Sequence, residues 1–243
     1  MKIVFVDETE NAKRLPRFYA VSAVVVDSVN YTSVRADIEK ALADAGWCPE
    51  HEFKGIVLFS STQGDTSVSI EKRIDAAAGI VGSTMSDKNA RCACAFAWNL
   101  EGSGTANHLR LVEDAIKCAL PRSTSKMRDK NVCVVFADQK DSIPRTELSA
   151  VAKRALRVRG YMMLEDVVVV ESSCAQPGVL LADIAAYLGM WTYAGHVEGN
   201  PQSALFDEAG GSVPARVGEK LDAVQRVLEG GSGLRFMPKL PRR

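Results

Sequence analysis

The sequence predicts an α/β fold, a mixed β-sheet with helices packed on its faces. Three observations lead there. Apolar runs of strand length stand at residues 2–6, 17–26, 90–100, 131–138 and 165–172. From residue 90 onward each run alternates with a stretch of helical spacing, and parallel strands need such helical crossovers. No composition break or low-complexity linker divides the chain, and 243 residues with 47% hydrophobic content suffice for one sizeable core.

The elements follow in order. "KIVFV" (2–6) reads as a short buried strand, central in the sheet because it is wholly apolar. "RFYAVSAVVV" (17–26), rich in Val and aromatics, is the second strand, joined to the first as an antiparallel hairpin with a longish polar loop. Residues 31–46 are helical, with Val34, Ile38, Ala41, Leu42 and Ala45 in helical spacing and Gly46 as the stop. "WCPEHEFKGIVLF" has no clean period. A second helix over 68–82 places Ile70, Ile74, Ala77 and Val81 on one face.

Residues 90–100 form the third strand and 104–121 a helix ended by Pro121. "NVCVVFAD" (131–138) is a strong buried strand. The helix over 144–160 opens on Pro144 and closes at Gly160, and "EDVVVVES" (165–172) is the fifth strand. Pro177 opens the helix over 177–191. Beyond it, 213–230 has helical spacing at Val217, Leu221, Val224 and Leu228, and the tail carries Gly, Pro and basic residues.

Charge narrows the function classes only a little. Thirty basic and 30 acidic residues give a net charge of +0, so no global positive field advertises nucleic acid, although a local patch suffices to bind it. The N-terminus turns acidic after one strand and no apolar run approaches bilayer length, so a soluble, cytoplasmic protein without membrane association is expected. The six cysteines contain no C-x-x-C pair. Cys92, Cys94, Cys118 and Cys133 lie in apolar segments and are expected to be reduced structural residues. No G-x-S-x-G, P-loop or G-x-G-x-x-G stands in the chain, which argues against hydrolase-elbow, Walker and Rossmann chemistry.

Three acids stand out. Asp7 and Asp138 each sit at or just after the C-terminal end of an apolar strand, the edge at which open α/β sheets bind ligands. Asp183 lies about two turns into the helix after the next strand, flanked by Leu180, Leu181, Ile184, Ala185 and Leu188. An ionised, unpaired carboxylate on such a face costs several kcal/mol or shifts its pKa upward, and a bound cation removes that cost. Each residue alone also has a plain reading: an Asx-turn for Asp7 or Asp138, a partly exposed helix position for Asp183. The three together point to a site for a hard divalent cation, Mg²⁺ or Mn²⁺. Glu8 should point to the opposite side of the sheet from Asp7.

"VFVDET", "HEFKG", "VVFAD" and "SSCAQPGVLLADIAAY" resemble the family catalogued as domain of unknown function 3800, over roughly residues 1–195. The last motif is the most specific. That family is regarded as RNase H-like. The resemblance implies a mixed five-stranded RNase H-like sheet flanked by helices, with a helical insertion between strands two and three. It makes 1–195 the RNase H-like domain and 196–243 a C-terminal extension packed on the same domain. It carries catalytic, metal-holding acids onto Asp7, Asp138 and Asp183, and its E-x-K pattern favours Glu52 and Lys54 as further catalytic residues.

RNase H-like nucleases often take a fourth acid from the first helix after the three-strand meander. Here Glu113 sits late on that helix, so Glu52, Glu113 and Glu171 all stay open for the role, and Glu52 and Lys54 read equally as a surface ion pair. The expected activity is metal-dependent hydrolysis of phosphodiesters in DNA or RNA, with Asp7 bridging two ions and Asp138 and Asp183 each holding one. Lys126, Arg128, Lys130 and Lys140 are candidates to hold the backbone, whereas Lys153, Arg154, Arg157 and Arg159 read as a solvated helix face. His51 and His108 read as surface or core residues. The alternatives are a non-catalytic interaction or nucleic-acid-binding protein that reuses the fold, and a phosphatase or nucleotidase on a small substrate.

Overall fold

The computed structural model describes residues 1–11, 18–58, 67–85, 92–99, 104–123, 131–140, 142–170, 176–198 and 234–237. Among the described residues the architecture is α/β, with a mixed sheet and five α-helices. The strands are β1 (Lys2–Asn11), β2 (Phe18–Asp27), β3 (Cys92–Asn99), β4 (Val132–Asp138), β5 (Met162–Met163), β6 (Val168–Val170) and β7 (Leu234–Met237). The helices are α1 (Tyr31–Ala45), α2 (Ile70–Met85), α3 (Thr105–Ala119), α4 (Arg145–Arg159) and α5 (Pro177–Glu198).

The sheet order is β5-β4-β1-β2-β3-β7, and β6 pairs with β4 as well. β1 is antiparallel to β2 and β2 to β3, while β4 runs parallel to β1 and β7 parallel to β3. The central place expected for the first strand is therefore observed. Several features differ from the sequence reading, among them β7, a strand in the tail where none was expected, and α5, which runs to Glu198 rather than 191. β1 runs to Asn11 rather than stopping at residue 6, because the partner strand β2 supplies a full antiparallel ladder for the polar residues beyond Val6. The expected 165–172 strand begins only at Val168 and is described through Val170, its last two residues lying outside the described ones, with β5 as a second short segment against β4.

Helix ends follow local chemistry. Gly46 and Gly160 close α1 and α4 in the left-handed region, at φ 76° and 84°, where a side chain would be strained. Pro144 precedes α4 and Pro177 opens α5, positions at which a missing N–H costs nothing. The expected 213–230 helix lies outside the described residues.

Strand alternation divides the core into two layers. Val4, Val6, Val21, Val25, Val135 and Ala137 face α3 and α4. Ile3, Phe5, Ala20, Val24 and Val26 face α1, α2 and α5. That alternation decides which acids can meet. Cys118 and Cys133 are buried as thiols, and burial pushes the Cys133 thiol up to about 12, as expected of inert structural cysteines.

Candidate functional site

β1 and β4 are paired in parallel register, with Phe5 opposite Phe136 and Val6 opposite Ala137. One step further, Asp7 and Asp138 stand side by side. Side chains alternate across a strand, so these acids share the face carrying Phe5 and Phe136. Those two rings stack at 5.4 Å beneath them, and Tyr31 stacks on the other side of Phe5 at 5.5 Å. Asp7 is internal to β1 and pairs with Ser22 of β2, whereas the sequence reading set it at the strand end. Only the β1–β4 ladder ends near it.

α5 brings the third acid onto the same face. A Cβ on Gly178 would stand 2.3 Å from the Phe5 ring, so the first turn of α5 approaches the sheet as closely as glycine permits. Ser22, fully buried, donates from Oγ to the Ala182 carbonyl at 2.6 Å and ties β2 to α5 beside Asp183. Leu181, Ile184, Ala185 and Leu188 are buried in the core, as the flanking residues predicted. A second close approach fixes the carboxylate itself. Gly55, in the segment between α1 and α2, lies against Tyr187, where an added Cβ would meet the Tyr187 Cβ at 2.3 Å. From there the Gly55 N–H donates to Asp183 Oδ2.

The three acids feel one another. The Asp7 carboxyl is raised well above its ordinary value, first by burial, then by the charges of Asp183, Asp138 and Glu8, against one N–H from Glu8 at 2.7 Å. Burial likewise pushes Asp183 up to about 7, opposed by the Gly55 N–H and by Lys54. Asp138 is raised by burial and held down by Lys54 and the Gln139 N–H. Among the described residues its buried Oδ1 has no hydrogen-bond partner, a state that costs free energy unless a further group occupies it.

Asp7, Asp138, Asp183, Glu52 and Lys54 all line one cavity of about 250 Å³. Glu52 and Lys54 form an ion pair at 3.3 Å, and Lys54 also lies in the field of Asp138 and Asp183. The E-x-K spacing thus places one ammonium within a group of four carboxylates. Among the described residues, no group of three or more His, Cys, Asp or Glu side chains is arranged to hold a metal ion as it stands. Like charges keep apart in low dielectric, and Asp7 and Asp183 are each turned onto a backbone N–H.

Other candidates separate from this cavity. Glu113 sits on α3, which packs against the opposite face of the sheet, and pairs with Lys117 at 2.5 Å and Arg154 at 2.9 Å. It is not part of the acid cluster. Lys140 is turned away as well. It pairs with Glu8 at 2.8 Å and the Tyr19 hydroxyl at 2.7 Å on the α3–α4 side, so its expected role beside Asp138 gives way to a buried polar network.

In that network Tyr19 also meets His108 Nδ1 at 2.7 Å, and burial, then Lys140, pushes the imidazole down to about 3. His108 is thus a core histidine, while exposed His51 stands at the rim of the acid cavity. Lys153 and Arg154 are exposed and paired with Asp166 and Glu113. Glu171, Lys126, Arg128 and Lys130 lie outside the described residues.

Ser22, Gly55 and Gly178 position the acids and were not singled out from sequence. The lone hydroxyl inside "AVSAVVV" was the available signal for Ser22. No protein-family model matches the chain, and no curated protein matches it either.

Proposed function

We propose that this cavity is the active centre of a metal-dependent nuclease that hydrolyses phosphodiester bonds with Mg²⁺ or Mn²⁺. One observation carries the reading: Asp7, Asp138 and Asp183, from β1, β4 and α5, converge on a single cavity with Asp138 Oδ1 buried and unsatisfied. The donor set is carboxylate oxygen, which fits a hard divalent cation, and a cation offsets the burial that raises all three carboxyls and the neighbouring charges that further raise Asp7 and Asp183. The order β3-β2-β1-β4, antiparallel through the first three strands and parallel from β1 to β4, supports the RNase H-like resemblance, with α1 and α2 as the insertion.

In this reading Asp7, Asp138 and Asp183 are the side chains that would hold the divalent ions. Ions bound there supply an activated water and neutralise charge on the leaving oxygen. Lys54, held at the mouth by Glu52, offsets the charge of the incoming phosphate. Nothing about the neutral surface helps, so binding depends on local contacts and weakens as salt rises.

The test is cleavage of single- and double-stranded DNA and RNA in Mg²⁺ or Mn²⁺, wild type against Asp138→Asn. We expect cleavage by wild type and a loss of at least about 100-fold in the variant, since removing a charged ligand forfeits several kcal/mol of transition-state stabilisation. Absence of cleavage together with absence of Mn²⁺ binding by calorimetry would replace this reading with a non-catalytic, nucleic-acid-binding or interaction role.

A further inference from the structure

Besides the acid cluster and Lys54, the cavity is lined by Glu39, His51 and Gln176 and by a set of apolar side chains. The apolar wall is built by Leu42 and Ala43 at the end of α1, by Trp47 and Phe53 in the segment that follows, and by Val179 and Leu180 of α5. A site that met nothing but phosphate and ribose would have no use for this wall, because neither presents apolar area to bury. The wall is also preformed. Trp47 and Phe53 pack edge to face at 4.8 Å, and Trp47 Nε1 donates to the His51 carbonyl at 2.6 Å. Behind them Arg73, 2% exposed, lies 5.7 Å over the Trp47 ring and donates to the Val57 and Val68 carbonyls. These contacts anchor the segment that carries Glu52, Lys54 and Gly55, so apolar wall and charged wall are fixed relative to each other.

Size narrows the occupant. About 250 Å³ lies just under the roughly 300–1,000 Å³ that drug-sized ligands take. That space suits one flat ring system, not a stacked pair, and no segment of double helix. A flat ring system carried by a sugar phosphate is a nucleobase.

We infer that the apolar wall receives a single unpaired nucleobase, so the substrate is single-stranded nucleic acid or a frayed end. The inference rests on the nuclease reading for where the phosphate lies. The base enters between α1 and α5, and its phosphate faces Lys54 and the acids. A paired duplex must first unstack and unpair that base, which disfavours it.

Calorimetry in Mn²⁺ with adenosine 5′-monophosphate and ribose 5-phosphate tests the pocket directly. Wild type should bind the nucleotide at least about tenfold more tightly than the base-free sugar phosphate, given the usual worth of one base against an apolar platform. Ala43 is exposed on α1, so Ala43→Trp fills the wall without entering the core and should abolish that preference. Ala43→Leu, a smaller filling, should reduce it. Equal binding of the two ligands, no binding of either, or a preference that survives Ala43→Trp in a folded protein would overturn the inference.

Cleavage separates the two ideas. A single strand should be cut at least about tenfold faster than its full duplex or the same strand with an abasic target nucleotide. Equal cutting of all three, lost in Asp138→Asn, refutes the base pocket and leaves the nuclease reading intact. Base-dependent binding without any cleavage does the reverse.

Discussion

Asp183→Asn removes one carboxylate from the acid cluster while keeping its shape. The asparagine amide oxygen still accepts the Gly55 N–H. In the wild type, burial raises this carboxyl from 3.8 to about 7. A raised pKa means that the folded chain holds the proton longer than the unfolded chain. Asp183 therefore subtracts from stability progressively as pH climbs from 3.8 to about 7, and in full above that.

At 1.36 kcal/mol per unit the ceiling is about 4 kcal/mol. With the effective dielectric of real protein sites about half of that is expected, roughly 2 kcal/mol. For a chain of this size the variant should melt about 4–8 °C higher than wild type at pH 8 without divalent ions. Near pH 4 the two melting curves should converge. Mn²⁺ at about 100 times its dissociation constant should stabilise wild type by about 2.7 kcal/mol and the variant by much less. Thermal unfolding followed by circular dichroism at pH 4, 6 and 8, with and without Mn²⁺, measures all of this. A folded variant that melts at or below the wild-type temperature at pH 8, or gains equally at pH 4, would refute the claim that an unneutralised charge is confined there.

Three further substitutions probe the supports of the site. Gly55→Ala sets a Cβ against the Tyr187 Cβ and lifts the Gly55 N–H from Asp183, so it should cost about 1–3 kcal/mol in urea unfolding and weaken Mn²⁺ binding. Glu113→Gln should leave cleavage and Mn²⁺ binding unchanged and lower stability by under about 1 kcal/mol, because its partners, half-buried Lys117 and exposed Arg154, lie on the face of the sheet away from the acids. An effect on cleavage comparable to Asp138→Asn would restore Glu113 as a ligand. Tyr19→Phe strips a partner from buried His108 and from Lys140, and should cost about 1–3 kcal/mol by thermal melting while Mn²⁺ affinity stays constant.

Apolar periodicity and helix punctuation carried most of the secondary structure. The 3.6-residue spacing of Val34, Ile38 and Ala45, the prolines before α4 and α5, and the glycines after α1 and α4 act over a few residues, so they stand in the sequence itself. So did the oddity of Asp183, since an acid among Leu181, Ile184 and Ala185 demands a compensating partner wherever the helix docks.

Tertiary structure decided the rest. The β1–β4 register puts Asp7 beside Asp138, and strand alternation sends Glu8 to Lys140 on the far side. The packing of α3 removes Glu113 from contention, and two glycines allow α5 and the Gly55 segment to close on the acids. The apolar wall of the cavity joins residues from α1, its following segment and α5. Periodicity and capping are local, whereas register and close approach depend on contacts between residues far apart in the chain, which no short window of sequence contains.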